Sequence, residues 1–217
     1  MSPAERLDRI RQGIAAACKI AGRDPAGVIL IAVSKTRSVA EIETLLAAGQ
    51  SDFGESRVQE ALDKWPPLLG RKSRVRLHCI GRLQSNKAAE AVRLFDTIHS
   101  LDRLSLLEAL AKEADKSGRF PSVYVQVNIG DEPQKGGCPI GELGALVDAV
   151  RASPLPLDGL MCIPPLGLEP SPFFALLAKL AAEHGVAGLS MGMSADYKAA
   201  VMLGATAVRV GTALFED

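Results

Sequence analysis

The chain reads as an α/β protein, a (β/α)8 barrel with one extra helix in front, and three observations predict it. Short apolar or β-branched runs alternate with longer amphipathic stretches to the end of the chain. Eight such runs can be counted, the number of parallel strands that closes a barrel. No Gly-x-Gly-x-x-Gly follows any of them, which removes the main argument for a doubly wound dinucleotide fold.

The elements follow in order. Residues 3–21 place Leu7, Ile10, Ile14 and Cys18 at three-to-four spacing, a helix with one buried stripe that precedes the first strand. The strand candidates are 28–33, 51–54, 75–81, 97–100, 123–129, 157–162, 188–191 and 207–210. Helix candidates between them include 39–48, 85–94, 103–117, 140–152, 172–184 and 195–203, several opened by Ser, Asp or Pro where a cap is needed. At 217 residues and 47% hydrophobic content the chain suits one barrel domain over 1–217, with no linker or composition break.

Composition excludes several classes of function. Twenty-five basic and twenty-five acidic side chains cancel, so no global field draws the protein to nucleic acid or to an anionic membrane, and a small molecule is the expected partner. Cys18, Cys79, Cys138 and Cys162 are scattered singly, without metal-ligand spacing, as expected of reduced thiols in the cytoplasm. No apolar stretch approaches the ~20 residues of a membrane span, and the charged N-terminus does not read as an export signal. A monomer is expected rather than a large oligomer.

Lys35 stands just past the run Val28-Ile29-Leu30-Ile31-Ala32-Val33, with only Ser34 between. That is the C-terminal end of the first strand, the working face of such a barrel. If the extended geometry continued to it, Ile29, Ile31, Val33 and Lys35 would share one side, and the amine would cap an aliphatic column and be poorly hydrated. The plain alternative is a lysine that ends a strand in solvent. Two further segments favour the reactive reading, Ser190-Met191-Gly192-Met193-Ser194 after the seventh strand and Arg209-Val210-Gly211-Thr212 after the eighth. Loops there commonly hold phosphate, through hydroxyls such as those of Ser190, Ser194 and Thr212 and through N–H groups at a helix start. An amine on one wall and a phosphate cup on another suit pyridoxal 5'-phosphate, whose aldehyde forms an imine with lysine.

Ala32-Val33-Ser34-Lys35-Thr36, Asp52-Phe53-Gly54-Glu55, the run from His78 to Lys87, Ile98-His99-Ser100, Val127-Asn128-Ile129, Gly159-Leu160-Met161-Cys162, Leu189 to Ser194 and Val208 to Thr212 closely resemble the pyridoxal phosphate homeostasis protein family. The resemblance runs from about residue 28 to the C-terminus. It implies a fold-type III barrel, like the N-terminal domain of alanine racemase, with the cofactor held as an imine on Lys35. It places Ser190, Gly211 and Thr212 at the phosphate and Arg209 by the pyridine nitrogen. A guanidinium keeps its proton, so the ring stays unprotonated and is a poor electron sink. The family usually reads Gly-Glu-Asn where this chain has Gly54-Glu55-Ser56, which leaves Ser56 with a shorter hydroxyl, a water-mediated contact or none. Arg82 is assigned nothing. His78 and His99 read as structural histidines, Lys135 as a solvated loop lysine, and Asn128 as a partner for a ring substituent or for backbone.

Racemases that resemble this barrel add a β-rich domain that closes the site and supplies a second acid/base group. The chain stops at Asp217, and neither Tyr124 nor Tyr197 lies on a strand end. The expectation is therefore a non-catalytic protein that buffers pyridoxal 5'-phosphate and delivers it, with apo forms of pyridoxal-phosphate enzymes as receivers. The alternatives are an amino-acid racemase or lyase with a minimal open site and, further off, a lysine-imine aldolase acting on a sugar phosphate.

Overall fold

The computed structural model describes residues 1–69 and 75–215. Eight strands, β1 Ile29–Val33, β2 Asp52–Glu55, β3 Arg76–Cys79, β4 Thr97–Leu101, β5 Ser122–Gln126, β6 Leu157–Met161, β7 Gly188–Ser190 and β8 Ala207–Val210, form a closed barrel in chain order. All the pairings are parallel, and the ring closes where Ile31 of β1 lies opposite Arg209 of β8. Each expected strand is present within a few residues of its expected bounds. The seventh is the shortest, and it ends at Ser190.

The helices are α1 Pro3–Ile20, α2 Val39–Ala47, α3 Val58–Lys64, α4 Pro66–Leu69, α5 Ala88–Leu94, α6 Leu104–Ser117, α7 Leu143–Ala152, α8 Ser171–Glu183, α9 Tyr197–Met202 and α10 Thr212–Phe215. The leading helix α1 opens with a capping box in which Ser2 and Glu5 satisfy each other's backbone N–H. Its stripe of Leu7, Ile10, Ile14 and Cys18 is buried. A second box, Ser38 with Glu41, starts α2 directly after the Lys35 turn and so fixes where that turn ends. At the far end of α6, Gly118 takes the left-handed conformation (φ 68°) that stops the helix. The helices α3 and α4 lie outside the sequence expectation. Trp65 between them is fully buried, and its ring packs on Phe53 of β2 with centroids 5.1 Å apart.

Aliphatic side chains fill the space between strands and helices, each contributing roughly 1.5–3 kcal/mol by leaving water. Part of the interior is polar instead. Asp52, His78, His99, Ser190 and Arg209 are all buried, and a hydrogen-bonded chain joins them.

Candidate functional site

The C-terminal ends of β1, β7 and β8 enclose a cavity of about 440 Å³ lined by Lys35, Ser194, Arg209, Gly211 and Thr212 among others. A second hollow of about 310 Å³ adjoins it, sharing Val33, Lys35, Met193 and Arg209 and reaching Ser56, Arg82 and Gln126. Volumes of this order suit a small-molecule site.

Lys35 lies in a turn rather than in the strand. Because β1 stops at Val33 and Thr36 takes a positive φ of 63°, the period-two column does not continue, and Lys35 is exposed. The expected desolvated amine is corrected on this point: the side chain is presented to the cavity from a solvated turn. Below it the turn is pinned. Ser34 is fully buried, its Oγ donates to Glu55 Oε1 at 2.7 Å, and Trp65 Nε1 donates to the same oxygen at 2.9 Å. Lys64 Nζ sits 2.9 Å from Glu55 Oε1 and donates to the Ser34 carbonyl at 2.8 Å. The strained Thr36 is held by its N–H donating to Glu60 Oε1 at 2.5 Å. Burial works to raise the Glu60 carboxyl, but the Thr36 N–H and Lys64 outweigh it and hold it below the ordinary value.

Arg209 is buried at 4% exposure, and its guanidinium is aimed by two acceptors, Ser190 Oγ at 2.6 Å and the Cys162 carbonyl at 2.9 Å. Burial pulls its pKa down from the usual value, yet an arginine keeps its proton. Behind Ser190 the chain of bonds continues to His99 Nδ1 at 2.8 Å, from His99 Nε2 to His78 Nδ1 at 2.9 Å, and from His78 Nε2 to Asp52 Oδ1 at 3.1 Å. Since β4 and β7 are not neighbours, the His99–Ser190 bond crosses the barrel interior. With both histidines protonated on Nε2, every group donates in one direction, from Arg209 to Asp52. Desolvation comes first, and the positive charge of Arg209 adds to it, in driving the His99 pKa well below its usual 6.5 and keeping the ring neutral. Burial opposes ionisation of Asp52, but His78, Ser51 and Arg76 more than compensate and lower its pKa. The histidines are thus structural, as expected, and together they support Arg209.

Of the phosphate candidates, Ser190 lies behind the cavity rather than on its wall. It is fully buried, its hydroxyl is engaged by Arg209 and His99, and it does not line the cavity, because β7 ends on it with the side chain turned inward. Ser194, four residues on, is the serine of this loop at the mouth. Its Oγ accepts from the N–H groups of Gly211 at 3.3 Å and Ala213 at 3.5 Å, donors that an anion oxygen would also engage. Gly192 makes the intervening turn at φ 90°, and a Cβ there would lie 2.5 Å from that of Ala200.

The remaining candidates take plainer roles. Asn128 exchanges hydrogen bonds with the backbone of Glu132 and closes its own loop. Lys135 is not solvated as expected: it is half-buried, donates to the Pro164 carbonyl at 3.0 Å and pairs with Glu132. Ser56 is half-buried and lines the smaller hollow. Burial pushes the thiols of Cys79, Cys138 and Cys162 up to about 12, which makes them inert. Among the described residues no group of three side chains is placed to hold a metal, and no helix is long and apolar enough to cross a membrane. Sequence reasoning missed the Glu55–Lys64–Trp65 cluster and Asp52. Charged residues at the two ends of a buried strand were the available signal.

A closed parallel barrel with a lysine just after β1 defines a class, and residues 6–217 match the model of the alanine racemase N-terminal domain. Within that class the chain belongs to the pyridoxal phosphate homeostasis protein family. It is 41% identical to the pyridoxal phosphate homeostasis protein of Pseudomonas aeruginosa over 98% of this chain and 94% of the relative. To that of Synechocystis it is 40% identical, over 89% and 93%. PipY of Synechococcus elongatus, solved with pyridoxal phosphate bound, superposes with a TM-score of 0.86 at 41% identity, covering 98% of this chain and 99% of PipY. D-threonine aldolase from Filomicrobium marinum shares the fold alone, with a TM-score of 0.75 at 16% identity over 100% of this chain and 62% of the aldolase.

Proposed function

We propose that this protein binds pyridoxal 5'-phosphate, buffers it and passes it on to apo forms of pyridoxal-phosphate enzymes, without substantial catalysis of its own. The observation that carries the reading is the single cleft that joins a solvent-accessible amine, a buried guanidinium and phosphate-type donors. The donor set fits the cofactor. Lys35 is its covalent anchor, Ser194, Gly211 and Thr212 receive its phosphate, and Arg209 faces its ring nitrogen. Ser190 serves the site by aiming Arg209. When bound, the cofactor supplies an aldehyde that forms an imine with the lysine and a ring that absorbs near the visible edge.

What the chain's own residues add favours holding over turnover. Among the described residues lining the two hollows there is no His, Tyr, Asp or Glu, and the arginines do not give up a proton, so no general acid or base accompanies Lys35. Tyr124 is instead stacked on His99 inside the barrel, and Tyr197 packs against Gly13 of α1. A racemase needs a second proton donor across the cofactor, and this wall lacks one. The four free, buried thiols suit a reducing, cytoplasmic setting.

An absorbance titration tests the reading. Added pyridoxal 5'-phosphate should give a protein-dependent band near the visible edge that Lys35→Ala lacks. Cα-proton exchange of amino acids in heavy water should stay at the rate of free cofactor. Exchange far above that rate would favour the racemase instead.

A further inference from the structure

We propose that a second hollow on the barrel mouth, over the ends of β2, β3 and β4, is a binding site for a small, multiply charged phosphate anion, separate from the cofactor cleft. It is a cavity of about 850 Å³, and four cations, Arg57, Arg82, Lys87 and Arg103, line it. No carboxylate is among its described lining residues, and the amides of Gln84 and Asn86 add further donors. In a chain whose charges cancel overall, this is a local concentration of one sign in a concave wall, which focuses the field on an anion.

The cations divide into two kinds. Lys87 and Arg103 are already oriented: Lys87 Nζ pairs with Glu90 at 3.2 Å, and Arg103 pairs with Asp102 while donating to Leu83 O at 3.1 Å and Ser85 Oγ at 3.2 Å. Arg57 and Arg82 are exposed, and their guanidinium groups form no hydrogen bond or ion pair among the described residues, Arg57 feeling Glu60 only at longer range. Two unpaired guanidinium forks beside two braced cations match the several oxygens of a phosphoester or a pyrophosphate. An ordinary solvated cationic face would be convex and interspersed with acids. The wall holds no aromatic side chain on which a base could stack, which disfavours single-stranded nucleic acid and favours a compact ligand.

The position supports a ligand site. The wall comes from the loops after β2, β3 and β4, the end of the barrel where such folds place their chemistry. It also gives a purpose to Gln84-Ser85-Asn86-Lys87, which the cofactor site leaves unused. Ser56 and Arg82 line both this hollow and the smaller part of the cofactor cleft, so the two sites touch.

Calorimetric titration of the full chain with inorganic pyrophosphate tests the proposal, run with and without saturating pyridoxal 5'-phosphate so that the cofactor's own phosphate cup is filled in one arm. Arg57→Gln and Arg82→Gln should each weaken binding roughly tenfold, and Arg82→Lys, which keeps the charge but loses the fork, by less. Thr212→Val, in the cofactor cup, should leave it unchanged. Arg57 and Arg82 lie on different loops, so one variant remains informative if the other misfolds. No heat at millimolar pyrophosphate would overturn the proposal. So would binding that Thr212→Val or the cofactor removes and the arginine variants keep. Failure of the cofactor reading would show separately, as a missing chromophore, and would leave the pyrophosphate result standing.

Discussion

Over the ends of β7, β8 and β1 the polar groups are engaged with one another, whereas over β2, β3 and β4 two arginine side chains stand without partners among the described residues. On the first side, Arg209 is buried and aimed by Ser190 and Cys162, and Ser194 already occupies backbone donors at the mouth. Such a wall holds a ligand in one orientation, because its groups cannot reorganise without losing bonds. The second side offers surplus charge with little fixed geometry, which attracts anions more than it orients them. Lys35 sits where the two sides meet, exposed itself but set on a buried pedestal of Ser34, Glu55, Lys64 and Trp65.

The comparison breaks most visibly at that pedestal. Glu55→Ala would leave the buried Lys64 ammonium with Glu60 as its one carboxylate partner among the described residues, and should cost about 3 kcal/mol in denaturant unfolding. A loss under 1 kcal/mol would mean that the pedestal is not held by charge.

A paired substitution sharpens the contrast between buried support and open mouth. Ser190→Ala strips an acceptor from Arg209 and should cost about 1–2 kcal/mol of stability. Ser194→Ala should leave stability nearly unchanged and weaken pyridoxal 5'-phosphate binding roughly tenfold. If the two effects were exchanged, Ser190 would be the phosphate residue after all.

The smallest expected effect concerns pH. The folded-state pKa of His99 lies below its unfolded value of 6.5, so the unfolded chain binds the extra proton first, and stability present above 6.5 falls as pH drops below it. Between pH 7.5 and 5.5 the wild type should lose about 1 kcal/mol more than His99→Gln, which keeps a polar side chain but does not titrate. Equal losses in denaturant curves at the two pH values would mean that the ring is already charged in the folded protein.

How much of this was legible in the sequence differs between the same regions. The barrel was, because each buried run carries its period into a strand and each amphipathic stretch into a helix, and β8 falls on its expected residues. The gathering of Lys35, Arg209, Gly211 and Thr212 followed from their places at strand ends. Ser190 against Ser194 was not legible: both carry hydroxyls in one loop, and what separates them is where β7 stops and two partners, His99 and Arg209, distant in the chain. The exposure of Lys35 was hidden likewise, since it depends on a turn at Thr36 held by Glu60, far along the sequence. The hollow beside Arg82 is assembled from three separate loops, so no single segment announced it.

The central claim is that Lys35 carries the cofactor. Borohydride reduction of the protein with pyridoxal 5'-phosphate, followed by peptide mass mapping, tests it most directly. One dominant adduct is expected, on Lys35, in a peptide that is unlabelled in Lys35→Ala. A dominant adduct on another lysine, or labelling undiminished in Lys35→Ala, would contradict it.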